Sequence, residues 1–524
     1  MKNRHASAAT TAPQRPEDEY LGIGRSLAYG LQHVLTMYGG VVAVPLIIGT
    51  AAGLDATGTG ILVAAALFIG GLATILQSVG VPFLGAQLPL VQGVSFTGVA
   101  TTLAVLQGTP GEEGLRIIFG AVLVASALGF ILAPFFAKII RFFPPVVSGV
   151  VITTIGLTLM PVAAGWSLGS EGDPSHGSVA NVGLAAFTLL VVLVLSKVGS
   201  AGISRLSILL AIVIGTAVAA LLGRANFSGV GEGPVIGLPT PFEFGAPLFV
   251  ASAVLGMLIV IIVTMTETTA GIVAVGEIAQ TGVDSKRIAN GLRADMLSST
   301  VAPLFNTFTQ TAFAQNVGLV AITGIRSRFV VAGAGAGVIM VVLGLLPVLG
   351  RVVAAVPSPV LGGAGIVLFG TVAASGIRTL TGVDYRSGLN LMIVAVSLAM
   401  GLIPVVSPTF YDQFPSWVQV VLGSGISAAA LTAVLLNILF NELTFGSRPG
   451  ASTFAAYPPR VLPKSVLQGL REGDTLVNGR LISADGHEIA AVDDHLVDEV
   501  RRRVETGELT DTGQIRRIYK NDSR

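Results

Sequence analysis

Thr307-Phe308-Thr309-Gln310-Thr311-Ala312-Phe313-Ala314-Gln315-Asn316 is the stretch that decides how this chain folds. It lies among apolar segments, yet it carries hydroxyls and amides where lipid would favour leucine. From Thr307 to Phe313 polar and apolar residues nearly alternate, which is the period of a strand. A lone strand cannot face hydrocarbon, because its amides would be unsatisfied. A second stretch of the same kind occurs earlier, Gln87-Leu88-Pro89-Leu90-Val91-Gln92-Gly93-Val94-Ser95-Phe96. There Pro89 removes a backbone donor and Gly93 loosens the chain. Two short strands can pair inside the protein, each leading into a half-helix that begins near the membrane midplane. The freed amides and the positive helix end then suit an anionic or carbonyl-rich solute. Two kinked helices whose Ser and Thr bond back to their own turns would give the same letters.

The surroundings of these stretches fix the class. The chain has 524 residues, 52% hydrophobic and 11% charged, against about 25% charged in an ordinary soluble domain. Mean hydropathy is +0.80. A soluble enzyme and a disordered chain are excluded. A net charge of +1 leaves no basic surplus for nucleic acid. No cysteine is present, so disulfides, iron–sulfur clusters and thiol catalysis are excluded. Charged residues crowd into the ends: residues 1–26 and 447–524 hold 31 of the 59, which leaves a membrane core between polar tails. No apolar stretch precedes the first span, so a cleaved signal peptide is not expected.

A hydrocarbon core about 30 Å thick needs about 20 apolar helical residues per crossing. The apolar segments read as fourteen spans: 27–50, 60–80, 87–107, 114–137, 144–162, 180–196, 206–222, 246–273, 286–303, 307–323, 329–350, 359–375, 388–404 and 418–441. With the N-terminus inside, Lys138, Arg141, Lys197, Arg205, Lys286, Arg287, Arg326, Arg328, Arg378 and Arg386 fall on inside loops. Only Arg116, Arg224 and Arg351 fall outside, a positive-inside bias. The expectation is an all-α polytopic membrane protein with both tails cytoplasmic. Its fourteen transmembrane segments form two inverted repeats of seven, with short β-strands interrupting segments 3 and 10. Inverted repeats with interrupted helices in matching positions mark secondary transporters, with the site at the midplane.

Ionisable groups deep in spans are costly and usually functional. Glu267 stands among threonines in Ile261-Ile262-Val263-Thr264-Met265-Thr266-Glu267-Thr268-Thr269-Ala270. Asp295 lies in Gly291-Leu292-Arg293-Ala294-Asp295-Met296-Leu297, where a local pair with Arg293 is an alternative. His33 lies in Leu31-Gln32-His33-Val34-Leu35, as a site residue or a structural brace. Protonating Glu267 or Asp295 removes the cost of carrying a charge through low dielectric, which makes either a proton-coupling candidate. No His-Glu-x-x-His, Walker or Gly-x-Ser-x-Gly pattern competes. Gly333-Ala334-Gly335-Ala336-Gly337 imitates a nucleotide loop but falls within a span, where close helix packing explains it.

The string Gln315-Asn316-Val317-Gly318-Leu319-Val320-Ala321-Ile322-Thr323-Gly324 resembles the signature of the nucleobase–ascorbate transporters, also called nucleobase:cation symporter-2. Gln32-His33 resembles the family's first-span pair. Gln92-Gly93-Val94-Ser95-Phe96 resembles its third-span motif, Glu267 its eighth-span glutamate and Asp295 its ninth-span aspartate. The resemblance covers 27–441 in order, not the tails. It implies a core domain (27–137 and 246–350), a gate domain (138–245 and 351–446), and cytoplasmic tails (1–26 and 447–524). It further implies an elevator movement of core against gate and a homodimer through the gate. It assigns substrate binding to Glu267, Gln315 and Phe96, with Ser95 and Asn316 of the same motifs. It assigns coupling or support to His33, Asp295, Gln32 and Thr323. No cofactor and no metal are implied.

The chemistry of those residues suits a planar heterocycle. A carboxylate accepts from ring N–H groups, an amide both donates and accepts, and an aromatic face stacks. Within the resemblance, glutamine at the head of the signature points to an oxidised purine, xanthine or urate, taken up with protons across the plasma membrane. A uracil permease of the same family, or an anion exchanger on the same fold, is the alternative. The charged tail offers a third reading, a membrane receptor. There Leu467 to Ile482 reads as a strand pair around Asn478-Gly479, and 492–506 as an amphipathic helix.

Overall fold

The computed structural model describes residues 15–139, 144–169, 173–231, 234–331, 335–386 and 388–443, and scattered residues of the tail from 475 to 508. It divides into two compact units, Met1–Ala456 and Tyr457–Arg524.

Among its described residues the first unit is mainly helical, with one two-stranded sheet. In chain order it runs α1 (Ile23–Ala51), α2 (Ala56–Val79), β1 (Gln92–Val94), α3 (Val99–Gly108), α4 (Gly111–Ile139), α5 (Pro145–Thr158), α6 (Met160–Leu168), α7 (Val179–Val198), α8 (Ala201–Arg205) and α9 (Ser207–Leu221). It continues with α10 (Ala251–Ala279), α11 (Ser285–Val301), β2 (Gln310–Ala312), α12 (Ala314–Thr323), α13 (Arg328–Val331), α14 (Ala336–Gly344) and α15 (Pro347–Ala354). The last four helices are α16 (Ser358–Leu380), α17 (Leu389–Val406), α18 (Ser416–Gly423) and α19 (Gly425–Asn437). Side-chain caps set several starts: Asp55 accepts from Gly58 N at 2.7 Å, and Asp284 from Arg287 N at 2.7 Å.

Among the described residues, nine helices are long and apolar enough to cross a membrane. The bent pair α13–α14 and α15 makes a tenth if it is one span. The chain is therefore a multi-pass membrane protein. Four of the expected fourteen spans fall outside this group for physical reasons. Helices α3 and α12 are 10 residues each, half a membrane long, while α9 has 15 residues and α11 is polar. Helices α1 and α2 are largely buried, whereas α7 and α17 turn Leu190, Leu193, Leu391 and Met392 outward to where lipid would lie.

Strands β1 and β2 pair antiparallel, Gln92 with Ala312, Gly93 with Thr311 and Val94 with Gln310. Two further backbone bonds extend the ladder, Ser95 N to Thr309 O at 2.8 Å and Phe313 N to Val91 O at 3.0 Å. Every strand residue is buried, so the amides are satisfied inside protein rather than in lipid. A Cβ at Gly93 would stand 2.5 Å from the Phe313 ring, and one at Gly40 would stand 2.9 Å from it. Two glycines thus let Phe313 lie between α1 and β1.

On one side a short charged strap closes the bundle. Glu17 is fully buried and takes Arg287 Nη2 at 2.6 Å and the Thr281 hydroxyl at 3.0 Å. Arg287 also donates to Ala86 O and Gln87 O, at 2.6 and 2.8 Å. Asp18 takes Arg328 Nε at 2.6 Å. Burial acts to raise the Asp18 pKa, but the guanidinium groups of Arg15 and Arg328 outweigh it and hold the carboxyl below its ordinary range. The segment read as a cytoplasmic N-terminal tail over 1–26 is thus packed at Glu17 and Asp18. Glu17→Ala should cost about 3 kcal/mol, the low end for breaking a buried ion pair, because Arg287 keeps its carbonyl acceptors. A lower melting temperature in detergent checks this; an unchanged one shows the strap to be ornamental.

In the second unit, Thr475–Val477, Arg480–Ile482 and Glu488–Ile489 form an antiparallel meander. The turn expected at Asn478-Gly479 lies outside the described residues. Within the expected helix 492–506, residues 499–500 and 502–504 are helical.

Candidate functional site

A cavity of about 340 Å³ opens between the paired strands and α16. On one wall stand Phe96, Glu267, Thr311, Ala312, Phe313, Gln315 and Gly318; on the other Ile152 and Ile155 of α5 and Thr371, Ala374, Ser375 and Arg378 of α16. The size is at the small end for ligand pockets.

Each wall residue is held by a local cause. Helix α10 runs 29 residues and brings Glu267 to mid-length, where Thr97 Oγ1 donates to Oε2 at 3.2 Å. Phe96 begins the turn into α3; its ring centroid lies 6.3 Å from Phe313 and 6.0 Å, edge-on, from Phe369 of α16. Gln315 is in the first turn of α12, whose N-terminus has no side-chain cap. The positive helix end and a free amide therefore stand together at the cavity.

Asn316 is fully buried and faces away from this space. Its Oδ1 accepts from Val91 N at 3.0 Å, which fixes the amide orientation. Its Nδ2 therefore donates to His33 Nδ1, 3.1 Å away. Asn316 and His33 thus tie α12 and α1 to the β1 approach. Ser95 also lies off the cavity: its hydroxyl accepts from Thr97 N at 3.2 Å and caps the turn that carries Phe96. Gln32 is half-buried within α1, and its backbone carbonyl accepts from Thr36 Oγ1 at 2.8 Å. Thr323 bonds back to Leu319 O at 2.8 Å at the end of α12, and Gly324 stops the helix in the left-handed region at φ 67°. The Thr-Gly end of the signature is a helix stop.

Asp295 is buried on α11. Gln77 Nε2 donates to its Oδ1 at 2.9 Å, and the Thr268 hydroxyl donates to its Oδ2. The alternative pair with Arg293 does not form, since Arg293 Nη1 binds Asn290 Oδ1 at 3.0 Å. Three site residues were absent from the sequence reading. Gln77 is the one amide in α2, whose other polar residues are Thr and Ser. Thr311 was read only as part of a strand. Arg378 was read as a loop charge, yet it lines the cavity from the last turn of α16. No cluster able to hold a metal ion occurs among the described residues.

Half-length helices meeting at a buried two-stranded sheet, over a cavity with one acid, one amide and an aromatic ring, define a membrane carrier for small solutes. A family model described as a permease family, Xan_ur_permease, matches residues 24–410. The uric acid transporter UacT of Escherichia coli K12 is 38% identical over 438 residues, 83% of this chain and 90% of its own. The xanthine permease of Bacillus subtilis 168 is 39% identical over 420 residues, 80% and 94% of the two chains. The B. subtilis uric acid permease PucJ is 37% identical over 416 residues, 78% and 91%. The chain belongs to this permease family, the nucleobase–ascorbate transporters, and is a transporter rather than an enzyme. Among solved structures, the murine Slc26a9 anion transporter shares the fold at TM-score 0.57 and 14% identity, covering 94% of this chain and 79% of that one. The membrane domain of the cyanobacterial bicarbonate transporter BicA does so at 0.50 and 16%, covering 80% and 98%.

Proposed function

We propose that the chain takes up an oxidised purine nucleobase, xanthine or urate, by proton symport across the plasma membrane. The observation that carries this reading is the single cavity shared by Glu267, Gln315 and Phe96. Glu267 accepts from ring N–H groups, the Gln315 amide meets an edge of mixed donors and acceptors, and Phe96 stacks on the ring. Arg378 adds a positive charge suited to a urate or xanthine anion. The xanthine and uric acid permeases among the relatives support the same solutes.

The mechanism proposed is an elevator. Spans 1–4 and 8–11 (27–137 and 246–350) carry the strands and the polar wall. Spans 5–7 and 12–14 (138–245 and 351–446) carry the α5 and α16 wall and stay fixed, as the dimer contact. Fourteen crossings in two inverted halves, with both termini cytoplasmic, fit the loop charges. The four short or polar helices are then the remaining crossings. Sequence similarity to anion carriers is too low to favour the anion-exchange alternative.

Uptake of radiolabelled xanthine in cells lacking their own purine permeases tests this. Unlabelled urate or xanthine should compete, uracil weakly. A protonophore should abolish uptake and replacement of sodium by choline should leave it unchanged. Competition by uracil alone, or a sodium requirement, overturns the corresponding part.

A further inference from the structure

We propose that the hydroxyls of Thr268 and Thr311 form a one-proton wire joining Glu267, which faces the solute, to the buried Asp295. The inference rests on the proton-symport reading above.

The first observation is an exception within α10. Thr264, Thr266 and Thr269 each donate to the carbonyl four residues back, at 2.9, 3.0 and 2.7 Å. That is the ordinary use of a threonine in a membrane helix. Thr268 does not do this. Its hydroxyl donates to Asp295 Oδ2 and lies 3.2 Å from Thr311 Oγ1. Thr311, opposite Gly93 in the sheet, lines the same cavity as Glu267. Thr311 and Thr268 therefore stand in series between the cavity that holds Glu267 and the buried Asp295.

The second observation is a count of protons. Each hydroxyl has one hydrogen to give. When Thr268 gives its hydrogen to Asp295, Thr311 gives its own to Thr268, and the Thr311 oxygen is left to accept one from Glu267 in the same cavity. That arrangement needs Glu267 protonated and Asp295 ionised. The reverse orientation of both hydroxyls needs Glu267 ionised and Asp295 protonated. Gln77 Nε2 can only donate, and it satisfies Asp295 Oδ1 in either state. Thr97 likewise donates to Glu267 Oε2. Both orientations satisfy the Thr268–Thr311 pair, so one proton shared between the two acids serves either.

Among the described residues, no ion pair is made by either acid that would pin that proton. Among the groups packed around them, Arg293 is bound to Asn290, His33 is bound to Asn316, and Arg378 is on the opposite wall of the cavity.

The transfer balances. Glu267 gives its proton to Thr311 Oγ1, Thr311 gives its own to Thr268 Oγ1, and Thr268 gives its own to the Asp295 carboxylate. Each hydroxyl loses one hydrogen and gains one. A solute whose ring N–H groups donate to Glu267 requires that group ionised. Binding the solute therefore drives the proton to Asp295, and the loaded carrier moves with one proton inside.

Purified full-length protein in liposomes provides the test, with radiolabelled xanthine and urate. Two rates are measured: uptake driven by an imposed proton gradient, and counterflow exchange at equal pH on both sides. Thr268→Val keeps shape and removes the hydroxyl. Gradient-driven uptake should fall about 100-fold, the low end for loss of a positioned proton-transfer group. Counterflow should persist, and Thr268→Ser should restore coupling. If T268V does not insert, Thr268→Ala cannot clash and carries the same test. Wild-type coupling together with unchanged coupling in T268V or T268A overturns the wire alone. Loss of both rates without rescue by serine shows a structural role and also overturns it. Absence of proton-driven uptake in the wild type overturns the symport reading, and the wire with it.

Discussion

Glu267→Gln should reduce xanthine or urate uptake to background while the protein stays in the membrane at normal abundance. The substitution keeps the size of the side chain, and its Oε1 still accepts from the Thr97 hydroxyl 3.2 Å from the native carboxylate. The local packing between α10 and the turn before α3 therefore persists. What changes is the face toward the cavity, where an acceptor becomes a group with two N–H donors. Ring N–H donors of a purine would then meet amide hydrogens. A site built for a hydrogen bond rejects a mismatch by about 10⁴–10⁵, because a buried polar group is left unpaired. Because the site no longer accepts the solute, exchange should be lost along with accumulation. This separates it from Thr268→Val, in which exchange survives. Uptake and abundance measured on the same cells check the result. Wild-type uptake by E267Q would remove Glu267 from the site.

Much of this arrangement is legible in the letters, because its cause is local. Alternation from Thr307 to Phe313 anticipates the extended chain around β2, since a strand is two-sided whatever it pairs with. An acid among threonines marks α10 as polar where lipid would not tolerate it. Other features depend on contacts between distant residues. Gln77 meets Asp295 across 218 positions, so nothing near either one signals the bond. Asp295 was open to a pair with Arg293 two residues away, and α11 turns the two to different neighbours. Thr268 has the same letter as Thr264 and Thr269, yet only the approach of α11 and β2 draws its hydroxyl off the helix. Ser95 and Thr323 show the opposite case. They belong to specific motifs, but the structure uses them to start and stop half-helices.

Gln315→Glu should weaken xanthine and urate uptake in proportion to one lost hydrogen bond and one added charge. Gln315 lines the cavity opposite Arg378 and shares it with Glu267. Its Nε2 lies 3.8 Å from where a Cβ on Gly40 would stand, so α1 closes the space behind it. The new carboxylate therefore has little room to turn away from the solute. A carboxylate only accepts, so an oxidised purine loses the amide donor that met its C=O. Leaving a buried polar edge unpaired costs about 1–3 kcal/mol, or roughly 5- to 150-fold in affinity. The added charge acts in the same direction on an anionic purine. Arg378 offsets part of that repulsion from the far wall, which keeps the loss smaller than for Glu267→Gln. The defect should deepen as pH rises between about 5.5 and 8, because two carboxylates in one pocket ionise one after the other and the new acid repels only when ionised. When protonated, the same group can donate to a pyrimidine C=O, so uracil should compete better against xanthine in the variant than in the wild type, most visibly at low pH. Inhibition constants for xanthine, urate and uracil across that range check both halves. Unchanged purine affinity at every pH would show that position 315 does not touch the solute, and the choice of an oxidised purine would lose its chemical basis.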